Sequence, residues 1–87
     1  MNYRHDLLRW RREQTGATYA ELATKTGLSR MAVCDAVRGR NSRNDAVDPY
    51  ASTIMKTFKA LGLDPKYAFD FKLKERQFRR AVVVTAR

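Results

Sequence analysis

Residues Thr18–Arg40 read TYAELATKTGLSRMAVCDAVRGR, and the fold turns on how this stretch divides. Thr18 and Glu21 stand in the T-x-x-E spacing of a capping box. There the threonine oxygen takes the third helical amide and the glutamate reaches back to the threonine amide. Ala17 and Leu22 are placed to staple the same end. A helix is therefore predicted from about Tyr19 to Thr26, with Leu22, Ala23 and Thr26 turned inward. Gly27 ends it, because glycine enters the left-handed region without a Cβ clash. Ser29 then caps a third helix from about Arg30 to Arg38. Leu28 and Val33 form its staple, and Val33, Ala36 and Val37 its buried face.

The same punctuation parses the rest of the chain. Gly16, Gly39 and Gly62 each follow a helix-compatible stretch, and Asp48-Pro49 and Asp64-Pro65 each read as an N-cap followed by a first helical residue. A first helix is predicted from about Tyr3 to Thr15, its apolar stripe Tyr3, Leu7 and Trp10. A fourth runs from Pro49 to Leu61, burying Ala51, Ile54, Met55, Phe58 and Leu61. A short fifth runs from Pro65 to about Asp70, with Tyr67, Ala68 and Phe69 apolar. The tail from Phe71 to Arg87 admits two readings. Glu75–Val84 fits a helix carrying Phe78, Ala81 and Val82 on one face, whereas Phe69, Phe71 and Leu73 alternate as a strand would and Val82–Val84 is β-branched. A strand or hairpin near the end is the favoured of the two. The expected organisation is one domain, residues 1–70, with an extension, residues 71–87, available for dimerisation.

Composition narrows the function. Eighty-seven residues make one small core, with a net stability of about 4–13 kcal/mol and little room for a walled active-site cavity. Eighteen Lys and Arg against nine Asp and Glu give a net charge of +9, which favours a polyanionic partner. A single cysteine excludes an internal disulfide, and one histidine with one cysteine cannot supply a His/Cys zinc site. No apolar run exceeds four residues (Ala81–Val84), and MNYRHDLLRW holds no apolar signal core, so no membrane association is expected. The chain is expected to be cytoplasmic. Walker A, G-x-S-x-G and H-E-x-x-H patterns are absent from the sequence, and His5 is the only histidine, so an enzyme is not expected and no cofactor or metal is implied.

Only Gly27 and Leu28 separate the second helix from the Ser29 cap of the third. A connection this short sets two helices at a steep angle, a helix-turn-helix, and frees the outer face of the second to enter a major groove. That face is Arg30, Met31, Cys34, Asp35 and Arg38. The stretch resembles the Cro/C1-type helix-turn-helix family of phage repressors and small bacterial regulators. The likeness rests on Ala23 in mid-helix, on Gly27-Leu28-Ser29 at the turn, on Val33, and on Arg38-Gly39-Arg40 at the end. It continues in IMKTFKALGLDPKYAF, Ile54–Phe69, similar to the family's fourth helix and the start of its fifth. Tyr19 stands where the family usually has Gln, and Ala36 where a larger apolar residue is common, with Trp10 a candidate to fill the space.

The resemblance implies a five-helix, all-α, lambda-repressor-like domain that binds double-stranded DNA, a repressor acting as a homodimer on a palindromic operator. It places Arg30, Met31 and Asp35 at base-reading positions, with Cys34 beside them. Arg30 fits guanine O6 and N7; Asp35 either accepts from cytosine N4 or orients Arg30 or Arg38; Met31 meets a thymine methyl. Thr18, Tyr19, Ser29, Arg38, Arg40, Asn41 and Arg43 fit phosphate contacts, with Arg43 alternatively entering a minor groove. Cys34 is either a small residue tolerated near DNA or a redox switch. The apolar tail residues outnumber what a domain closed by its fifth helix can cover, so Phe78, Val82, Val83 and Val84 are expected at the dimer interface. The alternative is an antitoxin-like partner that neutralises a cognate protein and autoregulates its gene. No small-molecule ligand is implied.

Overall fold

A computed structural model describes residues 3–84, which form a mostly helical domain without a sheet. Its α-helices are α1 (His5–Thr15), α2 (Tyr19–Thr26), α3 (Arg30–Arg38) and α4 (Ala51–Ala60); two 3₁₀ segments follow, Pro65–Tyr67 and Glu75–Ala81. The local signals explain most of these bounds. Thr18 Oγ1 accepts from the Glu21 amide at 3.1 Å and Glu21 Oε1 from the Thr18 amide at 3.0 Å, so both halves of the capping box form. The same bonds hold the Glu21 carboxyl below the usual carboxylate range. Ser29 Oγ accepts from the Ala32 amide at 3.1 Å. Gly27 and Gly39 close α2 and α3 at φ 73° and 71°, where a side chain is strained.

The core gathers Leu7 and Leu8 of α1, Leu22 of α2, Val33 and Val37 of α3 and Ile54 and Phe58 of α4. Leu61, Leu63 and Ala68 continue it beyond α4. Leu8 was not in the expected stripe. Ala51, expected inside, is exposed at the start of α4. Thr57, not expected inside, is fully buried, its hydroxyl answered by donation to the Thr53 carbonyl at 2.7 Å. The expected start of α4 is also corrected. Tyr50 is the N-cap and the helix begins at Ala51, so Asp48-Pro49 lies in the extended approach instead.

The tail differs most from expectation. The fifth helix is a single 3₁₀ turn, capped by Asp64, whose carboxylate accepts from the Lys66 amide at 3.0 Å. Residues 75–81 are neither strand nor α-helix but a 3₁₀ segment that turns Phe78 and Ala81, three apart, to one side. Leu73, Phe78 and Ala81 are all buried in the same core as α1–α4. The Trp10 ring packs edge to face on Phe78, centroids 5.4 Å apart. The end of the tail then pairs with the turn after α4: the Asp64 amide donates to the Ala81 carbonyl and the Val83 amide to the Gly62 carbonyl, both at 2.7 Å.

Arg4 fastens this closure. Its guanidinium donates to the carbonyls of Asp70 and Leu73, each at 2.7 Å, and to both oxygens of Asp6 at 3.0 and 2.9 Å. It also lies 5.3 Å from the Phe78 ring centroid. Every face of a nearly buried cation is thereby answered, as burial of a charge demands. Burial opposes the Asp6 charge, but the bonds from Arg4 outweigh it and keep that carboxyl below its ordinary range. Among the described residues no helix is long and apolar enough to cross a membrane.

Candidate nucleic-acid interface

The alternation along α3 builds the site. Val33, Ala36 and Val37 are buried, leaving Arg30, Met31, Cys34, Asp35 and Arg38 on the opposite side. With Tyr19 and Ser42 these five line an open concavity of about 440 Å³. Every residue expected to read bases is therefore brought together, and Met31 is 72% exposed, unusually bare for so apolar a side chain. Tyr19 opens α2 at the edge of this wall. Its phenol faces the Cys34 thiol, and burial raises its pKa against the opposing charge of Arg12.

Three structural features hold α3 in place from behind. Its last carbonyls have no partners within the helix. The Asp35 carbonyl takes the Gly39 amide at 2.8 Å, the Ala36 carbonyl takes the Tyr3 hydroxyl at 2.6 Å, and the Arg38 carbonyl takes the Arg9 guanidinium at 3.1 Å. Arg9 also donates to His5 Nδ1, which requires that nitrogen to be unprotonated. Burial and the neighbouring Arg9 charge both push the His5 pKa down. The imidazole lies against Gly39, so His5 is a packed residue rather than a solvated terminal one.

The loop after α3 is closed on itself. Arg40 and Ala46 form an isolated bridge, and Asn41 Oδ1 accepts from the amides of Arg43 and Asp45 at 2.9 and 3.0 Å. Asn44 takes the left-handed conformation at φ 66°, which asparagine tolerates better than most residues. Arg40 donates to the Asn44 carbonyl at 2.8 Å. Asn41 thus shapes the loop through its acceptor oxygen, which leaves its amide N–H groups unengaged by these bonds, while Arg40 spends one guanidinium nitrogen on the Asn44 carbonyl. Arg43 is exposed. Thr18 and Ser29 use an oxygen lone pair for capping, which leaves each hydroxyl hydrogen to donate elsewhere.

The expected interface residues do not stay together. Phe78 is 4% exposed inside the chain's own core, which corrects its assignment to a dimer surface. Val82 is half-buried and bridged to Leu63, while Val83 and Val84 are exposed. Phe69 and Phe71 are exposed as well. Two members of the site were missed by sequence reasoning. Ser42 sits within the loop already singled out and joins the wall. Arg12, on α1, stacks its guanidinium over the Tyr19 ring at 4.0 Å, and no local spacing announces a contact between two separate helices.

No protein-family model matches the chain, and no curated protein or solved structure shows significant similarity to it.

Proposed function

We propose that this chain is a sequence-specific double-stranded-DNA-binding regulator of helix-turn-helix type, with α3 as its reading helix. The observation that carries the reading is the division of α3. One side is wholly buried, and the other sets Arg30, Met31, Cys34, Asp35 and Arg38 along a single open wall. A major groove about 12 Å wide admits such a helix, and Arg30 has the fork that guanine accepts. The excess of nine positive charges supplies attraction to phosphate that is independent of sequence. The chemistry required is binding, not catalysis, and repression by occlusion of a promoter is the simplest consequence.

A single module of this kind buries only about 600–1,000 Å² on DNA, so pairing across a two-fold axis on half-sites about 34 Å apart completes the proposal. With Phe78 inside the core, the exposed large apolar residues beyond α4 that are left for such pairing are Phe69, Phe71, Val83 and Val84. The same exposed residues favour the second reading, an antitoxin-like protein whose tail meets a cognate protein. Selection of duplexes from a randomised pool tests the DNA binding that both readings share: enrichment of a defined, two-fold symmetric sequence supports it, and recovery of unenriched DNA overturns it. An acidic protein that copurifies with the chain favours the second reading; a chain that purifies alone and still enriches the sequence favours the first.

A further inference from the structure

We propose that Arg12 is a positioning residue of the reading face, acting through the ring of Tyr19. The inference rests on the DNA-binding reading above and deepens it. Arg12 lies on α1, outside the wall that faces the groove. Its guanidinium carbon is 4.0 Å from the Tyr19 centroid, while its Nε is buried without a hydrogen-bond partner. A cation partly withdrawn from water in this way needs an answering group for its charge, and the π face of Tyr19 is the one beside it.

Tyr19 is the first residue of α2 and stands in the same wall as Cys34 and Arg38 of α3. A half-buried phenol at a helix start has room to swing outward. The planar cation stacked on its rear face removes that freedom and ties α1, α2 and the outer side of α3 into one register. Arginine suits the task because it is planar and stays charged at every accessible pH; lysine carries the charge without the plane. A residue that merely supplied charge to phosphate would tolerate the exchange, and one that holds a ring would not.

The test uses the full chain, the duplex enriched from a randomised pool by the wild-type protein, and a scrambled duplex of equal length. Arg12→Lys is expected to lower the ratio of the two affinities about tenfold, a typical worth for a desolvated cation–π contact. The slope of affinity against salt should stay unchanged, since no charge is lost. In a Tyr19→Leu background the same exchange should have no further effect on the ratio. An Arg12→Lys protein with wild-type selectivity would overturn the inference while leaving the DNA-binding reading intact. So would an undiminished effect of Arg12→Lys when Tyr19 is already Leu. A wild-type protein that enriches no duplex removes the reading itself. Should Arg12→Lys fail to fold by circular dichroism, Tyr19→Leu against Tyr19→Phe decides instead: loss of selectivity with Leu and retention with Phe support the stacked ring, and equal selectivity overturns it.

Discussion

The hydroxyl of Tyr3 donates a 2.6 Å hydrogen bond to the carbonyl of Ala36, joining the segment before α1 to the last turn of the proposed reading helix. Both groups are buried, and burial pushes the Tyr3 pKa up to about 12. Tyr3→Phe leaves the Ala36 carbonyl without its donor and should destabilise the protein by about 1–3 kcal/mol in urea unfolding. The sign of the pH effect follows from the raised pKa. Above pH 10 the unfolded chain ionises and the folded one does not, so stability is present below pH 10 and lost as pH rises toward about 12. Tyr3→Phe should show a shallower loss over that window; identical alkaline profiles would contradict the assignment.

His5 works in the opposite direction on the pH axis. Its folded pKa is lowered by burial and by Arg9, so protons favour the unfolded state. Its contribution is present above about pH 6.5 and is lost as pH falls through the lower folded value. Thermal melts between pH 5 and 8 should show the wild type losing more than His5→Asn on acidification.

Gly27 and Gly39 separate backbone strain from crowding. Both have φ above +70°, and a Cβ at Gly27 meets nothing within 4 Å. A Cβ at Gly39 stands 2.6 Å from the His5 ring. Gly27→Ala should therefore cost about 1 kcal/mol, and Gly39→Ala distinctly more. His5→Ala should recover part of the excess at Gly39 and nothing at Gly27. Equal costs at the two glycines would show that the imidazole does not pack as described.

Removal of residues 71–87 should unfold the protein rather than free a monomer, because Leu73, Phe78 and Ala81 belong to the core. Arg4→Met tests the fastening alone. It takes the donor from two carbonyls and should cost about 2–4 kcal/mol. Circular dichroism of the truncated chain decides the first point; a cooperative melt close to that of the full chain would contradict it.

The contrast between helices and tail shows what could be read in the residues. Thr18, Glu21, Gly27 and Ser29 each bond a partner only three or four positions away, so local spacing alone placed α2 and α3. Asp48-Pro49 misled because the fixed φ of proline suits the extended residue before a helix as well as its first turn. The helical reading of Glu75–Val84 sets Phe78 and Ala81 on one face, as the 3₁₀ segment does. Spacing alone does not tell a face packed in the chain's own core from one packed on a partner, and Phe78 was assigned to the latter. The bonds from Arg4 to Asp70 and Leu73 span some 66 and 69 positions and leave no local trace. In the site, the wall of α3 was legible from alternation, whereas the Arg12 contact with Tyr19 joins two separate helices and depends on tertiary placement.

The central claim is that α3 reads base edges through Arg30, and one comparison tests it most directly. Affinities of the wild type and Arg30→Ala are measured by fluorescence anisotropy at fixed salt, on the enriched duplex and on its single-base-pair variants. The account predicts that Arg30→Ala loses about 1–3 kcal/mol on the enriched duplex and becomes indifferent at one base position, with selectivity elsewhere retained. Arg43→Ala, as the control, should weaken every duplex alike and reduce the salt slope by about 1. An Arg30→Ala protein that keeps the wild-type preference at every position would contradict the placement of α3 in the groove.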